Sequence, residues 1–188
     1  MHQGSQPGDD QRAHHEYDAE PGPVPPRLPA GPRQGRGGKW LTMLVVALSV
    51  GAIDQASKHW AHTSLAQQPR GRIDLVEDCF SLTYVRNPGA AWGFLSRRPA
   101  SFRRPFFLAV SAVAIAFIIY LFVRLQPDQR MLKIALSLVM GGALGNLIDR
   151  VRFNYVIDFF DFYLGRTLRW PTFNVADVAI SCGVGLLF

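Results

Sequence analysis

The sequence predicts a mainly α, polytopic membrane protein with four transmembrane helices and a disordered N-terminal tail. The first observation is the stretch from Pro105 to Val123, which holds no charged residue and is long enough to match the hydrocarbon core of a bilayer. The second is a further set of apolar stretches separated by polar connections. The third is the contrast with residues 1–38, which carry seven of the thirteen prolines and almost no large aliphatic side chain.

A change in composition separates the tail from the first helix. Residues 1–38 cannot bury a core, so we expect them to be disordered. Their basic end and the apolar run behind it resemble a secretory signal peptide, but no small-residue cleavage site follows. The polar segment Asp54 to Trp60 comes instead. We therefore predict an uncleaved helix from about Lys39 to Trp60, roughly 30 Å long.

The other three spans follow from their apolar length. We predict the second at about Pro105 to Arg124, the third at about Met131 to Arg150 and the fourth beginning near Phe173, with a connection of mixed character at 151–172. The last apolar stretch reaches Phe188 after about 15 residues, or roughly 22 Å. This is less than a bilayer core, so we expect a truncated chain or an incomplete last helix.

The distribution of basic residues predicts an orientation. Four spans place both termini on one side, together with the basic residues that flank the first span and the connection between the second and third. The positive-inside rule makes that side cytoplasmic. Four arginines fall on the opposite side, where we expect an amphipathic stretch along the interface from Arg97 to Pro105: Arg97, Arg98, Arg103 and Arg104.

Composition argues against several classes of partner and cofactor. The net charge is +6, but the basic residues are scattered between apolar runs, which fits a membrane surface better than nucleic acid. Cys79 and Cys182 lack metal-ligand spacing, and we expect no disulfide between them. The histidines fit a solvated pair in the tail and an aromatic belt near the first helix end better than ligation. We predict no metal and no other cofactor.

Polar side chains gather at the predicted outer ends of the helices. Asp54 and Lys58 lie four residues apart on one helix face, which favours an ion pair. Such a pair either neutralises itself near the membrane surface or supports a functional site, and the spacing alone leaves both open.

The segment "GGALGNLIDR", residues 141–150, combines close packing with polar groups. Gly141 and Gly145 have the spacing that lets two membrane helices approach. Asn146, Asp149 and Arg150 share one helix face. Pairing with Arg150 would keep Asp149 ionised, which suits a structural buttress better than a catalyst.

Two short stretches carry candidate acid–base groups. Asp158 and Asp161 lie among aromatic residues, where apolar surroundings raise the pKa of a carboxyl. The alternative is an aromatic belt with acids facing water, which we prefer for Asp161. Asn174 is placed as a helix N-cap, with Asp177 in the first turn, where the helix dipole favours an ionised carboxylate. A carboxylic acid and a carboxylate suit hydrolysis, but two unrelated acids fit the spacing as well.

Five stretches in a fixed order carry a family resemblance: "DQASKHW", "NPGAAWGF", "GGALGNLIDR", "VIDFFDF" and "FNVAD". On a chain with four predicted spans they resemble lipoprotein signal peptidase, also called signal peptidase II. The resemblance covers residues 39–188 and leaves the tail outside. It implies an aspartic endopeptidase of the bacterial inner membrane. Such an enzyme removes the signal peptide from diacylglyceryl-modified prolipoproteins by cleaving before the lipidated cysteine.

The resemblance also implies roles for individual residues. It makes Asp158 and Asp177 the catalytic pair. It implies a small extracytoplasmic β-sheet, which suits the loosely alternating stretch Ile73 to Val85, and a segment near Ala90 to Arg104 that covers the active site. Seven further residues carry over as substrate-binding or supporting groups: Asp54, Lys58, Asn87, Asn146, Asp149, Arg150 and Asn174.

Further expectations concern partners and location. We expect prolipoprotein substrates and membrane lipids as partners, no nucleic acid, a monomer, cytoplasmic termini and an active site near the extracytoplasmic face. The alternative function is a small membrane transporter, since intramembrane carboxylates also mark ion pathways. The absence of an internal repeat and the clustering of the acids at one edge favour the peptidase.

Overall fold

The computed structural model describes residues 36–89, 94–126, 128–165 and 168–188. These residues form four helices and four strands: α1 (Arg36–Thr63), β1 (Arg72–Val76), β2 (Phe80–Asn87), α2 (Ala100–Arg124), α3 (Arg130–Phe153), β3 (Val156–Leu164), β4 (Leu168–Arg169) and α4 (Val175–Gly185). The predicted tail lies outside the described residues except for its last three positions, which already belong to α1. The first helix therefore begins earlier than the predicted Lys39.

Three helical segments are long and apolar enough to cross a membrane: residues 37–67, α2 and α3. The mainly helical fold class is thus confirmed. The fourth helix, α4, is apolar but has only 11 residues, so a fourth crossing stays a prediction. Helix α2 starts at Ala100 rather than at the predicted Pro105, because the carbonyl of Pro99 accepts the amides of Phe102 and Arg103 and opens the helix earlier.

The strands form one antiparallel sheet in the order β1-β2-β3-β4. The predicted strand character of Ile73 to Val85 is confirmed by β1 and β2. Strand β3 runs through the predicted connection of mixed character at 151–172, where no strand was predicted. Aromatic and β-branched residues favour a strand there, and their alternation sends Asp158 and Phe160 to one face and Phe159 and Asp161 to the other.

Two junctions bring β3 against α4. Helix α3 ends at Phe153, and the next residue, Asn154, adopts the left-handed conformation (φ 62°) common just after a helix. The Asn154 amide donates a hydrogen bond to the Arg150 carbonyl. The chain then turns directly into β3. Phe173, the residue just before the N-cap of α4, is held beside the middle of β3 by two backbone hydrogen bonds. Its amide donates to the Phe160 carbonyl at 3.1 Å, and the Phe160 amide donates to the Phe173 carbonyl at 2.9 Å.

Apolar packing and two glycines fix α1 against α3. One cluster joins α1, α2 and α3: Met43, Ala47, Ile118, Phe122, Leu136 and Met140. A Cβ on Gly141 would lie 2.7 Å from the Val50 Cβ, and one on Gly145 would clash with the Asp54 carboxylate. The predicted role of these glycines in close helix approach is confirmed. Because these two glycines have no side chains, Asp54 can face α3.

Candidate active site

A buried ammonium group lies at the centre of the polar cluster. Lys58 Nζ lies 2.8 Å from Asp54 Oδ2 and 3.1 Å from Asp149 Oδ2. All three side chains are at most 2% exposed. The predicted pair of Asp54 and Lys58 is confirmed, and its burial excludes a pair that merely neutralises itself at the membrane surface. The predicted pairing of Asp149 with Arg150 is wrong, because adjacent helical residues point apart and Asp149 turns towards α1.

The two carboxylates of this cluster also hold the neighbouring elements in place. Asp54 Oδ1 accepts the Ala176 amide at 2.9 Å, and Asp149 Oδ2 accepts the Ile157 amide at 3.0 Å. The first contact anchors the start of α4, and the second anchors the start of β3. Asp149 is therefore a structural buttress, as its position in the sequence predicts.

Asn146 connects the ammonium to the start of α4. Its Oδ1 accepts a hydrogen bond from Lys58 Nζ at 2.9 Å, and its Nδ2 donates to Asp177 Oδ1 at 2.8 Å. Because an ammonium only donates, Lys58 fixes which end of the amide faces Asp177. The orientation of Asn146 is thus determined by charge.

The predicted N-cap at Asn174 is confirmed. Its Oδ1 accepts the Asp177 amide at 3.1 Å, and Asp177 Oδ2 accepts the Asn174 amide at 3.2 Å. This reciprocal arrangement is a capping box. Asp177 is half-buried, and both of its oxygens receive N–H donors, which suits an ionised carboxylate.

Asp158 lies on β3 with 1% of its surface exposed. Asn174 Nδ2 donates to its Oδ1 at 2.7 Å, and Asn87 Nδ2 donates to its Oδ2 at 2.9 Å. Burial, together with the negative charge of Asp177, raises the pKa of Asp158 to about 7, although the two amide donors oppose the shift. The raised pKa of Asp158 that the sequence predicts therefore agrees with its buried position in the structure.

Both carboxyl groups line one cavity of ≈ 570 Å³. Asn87, Asn146 and Arg150 contribute to its polar end. The half-buried Arg150 donates to the Asn146 carbonyl at 3.2 Å, and its guanidinium lies 5.2 Å from the centre of the Phe107 ring. Residues of α4 and of the segment before it form the remaining wall: Trp170, Pro171, Thr172, Phe173, Val178, Ile180, Ser181 and Cys182.

Asp161 differs from Asp158 in its surroundings and in its contacts. It is fully buried, pairs with Arg169 and accepts hydrogen bonds from Ser81 at 3.3 Å and Thr83 at 3.1 Å. The preferred reading of an acid facing water is therefore wrong, because neighbouring strands supply polar partners on that face. Burial alone would raise the pKa of Asp161, but Arg169 and Thr83 reverse the effect and lower it.

The nine predicted site residues all fall in this cavity or in the polar cluster behind it. Sequence reasoning missed Gln55, whose Nε2 donates to Asp149 Oδ1 at 3.0 Å and to the Gly145 carbonyl at 3.2 Å. Its position beside Asp54 was the only signal. It also missed the wall at Trp170 and Phe173, because residues 151–172 read as a connection. Part of the predicted cover, 90–93, lies outside the described residues.

The other sequence predictions have mixed outcomes. Cys79 and Cys182 are both free, as expected. Among the described residues, no group of three or more histidine, cysteine, aspartate or glutamate side chains is placed to hold a metal. His62 contacts two aromatic residues: its Nδ1 lies 2.8 Å from the Tyr84 hydroxyl, and its ring stacks on that of Phe153.

Comparison with known proteins gives consistent matches. The family described as signal peptidase (SPase) II matches residues 46–188. A lipoprotein signal peptidase of Geobacter metallireducens is 50% identical over 144 residues, which cover 77% of this chain and 85% of the relative. One of Moorella thermoacetica is 42% identical over 147 residues, which cover 78% and 90%.

A solved structure has the same fold. It is described as a bacterial membrane enzyme determined by the in meso method at 2.3 Å resolution. Its TM-score is 0.66 at 31% sequence identity, and the match covers 78% of this chain and 84% of the solved one.

Proposed function

The chain belongs to the signal peptidase II family of membrane proteases, and from this premise we propose that Asp158 and Asp177 are its catalytic pair. The protein removes the signal peptide from diacylglyceryl-modified prolipoproteins by cleaving before the lipidated cysteine. One observation carries the proposal: both carboxyl groups line one cavity and both are bonded to Asn174. None of the relatives favours the transporter alternative.

Asp177 is the group suited to activate water. It accepts hydrogen bonds from Asn146 and from the Asn174 amide, and its half-buried side chain lines the cavity. An ionised carboxylate accepts a proton as the water oxygen attacks the scissile carbonyl.

Asp158 is the group suited to carry a proton. Its pKa of about 7 leaves about half of it protonated at pH 7, and the protonated form can polarise the scissile carbonyl and later protonate the leaving amine. The two carboxyls interact, because the negative charge of Asp177 helps to raise the pKa of Asp158.

Other cavity residues suit substrate binding. Arg150 and Asn87 present N–H donors near the two carboxyls and can orient the substrate backbone. The apolar wall formed by Val178 and Ile180 of α4 suits the acyl chains of the substrate. Each buried methylene would contribute about 0.8 kcal/mol to binding.

The location of the enzyme follows from its family and its charge pattern. We infer a multi-pass monomer in the bacterial inner membrane, with α4 as a fourth crossing, cytoplasmic termini and the cavity near the extracytoplasmic face. Arg124 and Arg130 support this orientation, since they lie at the opposite end of the bundle from Asp158. Prolipoproteins and membrane lipids are then its partners.

Replacing each carboxyl tests the assignment. Asp158→Asn and Asp177→Asn should each abolish cleavage of a diacylglyceryl-modified prolipoprotein by the purified, reconstituted protein. Asp74→Asn is the matched control, because Asp74 is an exposed acid on β1 outside the cavity. Full cleavage by both cavity variants would refute the catalytic pair, whereas loss in the Asp74 variant would point to a general effect of removing charge.

A further inference from the structure

Four arginines surround the start of α2, beside the polar end of the cavity. We define the arginine patch as Arg97, Arg98, Arg103 and Arg104, and we propose that it binds the phosphodiester headgroup of an anionic membrane phospholipid. The patch has an excess of positive charge, because the sequence has no aspartate or glutamate between Asp78 and Asp128.

The charges of the patch are accessible. Arg97, Arg98 and Arg104 are exposed. In the part of the chain that the structure describes, no ion pair and no side-chain hydrogen bond involves any of these three. A guanidinium without a carboxylate partner retains its five donors for a ligand, and its planar fork matches the geometry of a phosphate.

Arg103 fixes the geometry of the patch. Its Nη1 donates to the carbonyls of Pro88 at 3.3 Å and Ser96 at 3.4 Å, which ties the turn before α2 to the end of β2. Its Nε is buried and has no hydrogen-bond acceptor among the described residues. Because the two Nη1 hydrogen bonds hold Arg103 and the turn before α2 in place, the patch is preorganised for an anion rather than being a set of independent side chains.

The patch adjoins the catalytic cavity. Arg103 and Arg104 line a small cleft together with Arg150 and Asn87, and these last two also line the cavity. The cleft has room for about one water molecule, so a lipid phosphate would lie at its mouth and not inside it. Bound lipid would therefore sit next to the cavity without filling it.

The surroundings of the patch identify the ligand as a lipid. The turn before α2 and its first residues expose two aromatic rings, Phe94 (60%) and Phe102 (48%). Farther along α2, Val110, Val113 and Phe117 are 50–70% exposed. Val110 lies roughly 9 Å along the axis from Arg104. Guanidinium groups and aromatic rings above an exposed apolar helix face match headgroups above acyl chains.

The sign of the charge selects anionic lipids. The positive-inside rule disfavours arginines on the side opposite to the basic flank of α1, so the patch departs from the usual charge distribution. Each basic residue near an anionic surface increases the affinity for that surface by about fivefold. A zwitterionic headgroup offers the same phosphate, but its own cation opposes the attraction. A nucleic acid or acidic peptide would gain nothing from the apolar face of α2.

Photo-crosslinking in bilayers of defined composition tests the proposal. The full-length protein is reconstituted with a trace of phosphatidylglycerol that carries a photoreactive group at its headgroup, and crosslinks are mapped by mass spectrometry. We expect crosslinks at residues 94–107 that unlabelled phosphatidylglycerol competes away and phosphatidylcholine does not. The combined variant Arg97→Gln, Arg98→Gln and Arg104→Gln should weaken these crosslinks roughly a hundredfold, because it removes three charges.

Controls separate the proposal from trivial explanations. The variant Arg124→Gln with Arg130→Gln removes exposed charges from the other end of α2 and from the start of α3, and it should keep the crosslinks at 94–107. Asp177→Asn should keep them too, so the result does not depend on the proposed catalytic pair. Unchanged crosslinks in the triple variant, equal losses in the control variant, or competition by free inorganic phosphate at the concentration of the lipid would each overturn the proposal.

Discussion

Lys58 donates a hydrogen bond to Asn146 at 2.9 Å and thereby aims the amide nitrogen of Asn146 at Asp177. This contact links the buried ion cluster to the proposed site. The ammonium of Lys58 therefore has two effects: it neutralises buried carboxylates, and it sets the orientation of a side chain that contacts Asp177 of the proposed pair.

Lys58→Met should be among the most damaging single changes. It leaves Asp54 and Asp149 buried without their cation, which costs about 3–5 kcal/mol. We expect a marked fall in the thermal midpoint of unfolding in detergent and loss of cleavage. Arg152→Met is the control, since Arg152 is an exposed cation at the same end of α3 and should change neither. A stable Lys58→Met protein would show that the cluster is not essential to the fold.

Cleavage should depend on the proton that Asp158 carries. Since the pKa of Asp158 is about 7, the rate should fall as the pH rises through that value. The amide of Asn87 stabilises the ionised form, so Asn87→Ala should move the alkaline limb of the rate profile to higher pH. Arg86→Gln changes the neighbouring exposed side chain and should leave the limb in place. A shift of the Asn87→Ala limb to lower pH would contradict the hydrogen-bond assignment.

Stability should also vary with pH through Asp158. Its pKa is higher in the folded protein than the ordinary value of 3.8, so the folded state binds the proton more tightly. Stability contributed by this proton is complete below pH 4 and is lost as the pH rises towards 7. Asp158→Asn removes that dependence. As the pH rises from 5 to 8, the unfolding midpoint of the wild type should therefore fall relative to that of the variant. Parallel midpoints across that range would argue against a raised pKa.

The two aspartates of β3 should behave differently. Asp161 accepts its hydrogen bonds on the face of the sheet away from Asp158 and does not line the cavity. Asp161→Asn should lower the free energy of unfolding by about 1–3 kcal/mol, because it weakens charged hydrogen bonds, while the folded fraction still cleaves substrate. Comparison with Asp158→Asn at equal folded concentration checks this, and equal inactivity of the two would place Asp161 in the site.

The approach of α1 to α3 should tolerate no added methyl group at Gly145. A Cβ there would clash with the Asp54 carboxylate, so Gly145→Ala should destabilise the protein by about 1–3 kcal/mol. Gly51→Ala is the matched control on α1, because a Cβ there would meet nothing within 4 Å. This substitution should be neutral or slightly stabilising. Denaturation of both variants in the same detergent measures the difference.

Much of the fold was accessible from local patterns. The uncharged run of α2, the Asn174 cap and the spacing of Gly141 and Gly145 each depend on residues close in sequence, and each was predicted correctly. The association of Asp158 with Asp177 depended on the family resemblance, because two acids on different elements have no local signature.

The remaining features depend on contacts between distant elements. Strand β3 was missed because its row of aromatic residues also fits an interfacial belt, and only pairing with β2 decides between the two. The partner of Asp149 was predicted wrongly because its cation lies on α1, 91 positions away in sequence. The burial of Asp161 required Arg169, Ser81 and Thr83, which the sheet brings together.

The spacing of Asp54 and Lys58 has a consequence for biosynthesis. Both residues lie on α1, so the ammonium has a counter-ion as soon as this one helix forms, before the ribosome has made the rest of the site. Asp149 and the amide of Ala176 arrive only with later helices, and the Asp54–Ala176 contact spans 122 positions. The Asp54–Lys58 pair of the nascent first helix can thus be inserted without a net charge, and its polar contacts are completed by the segments that follow.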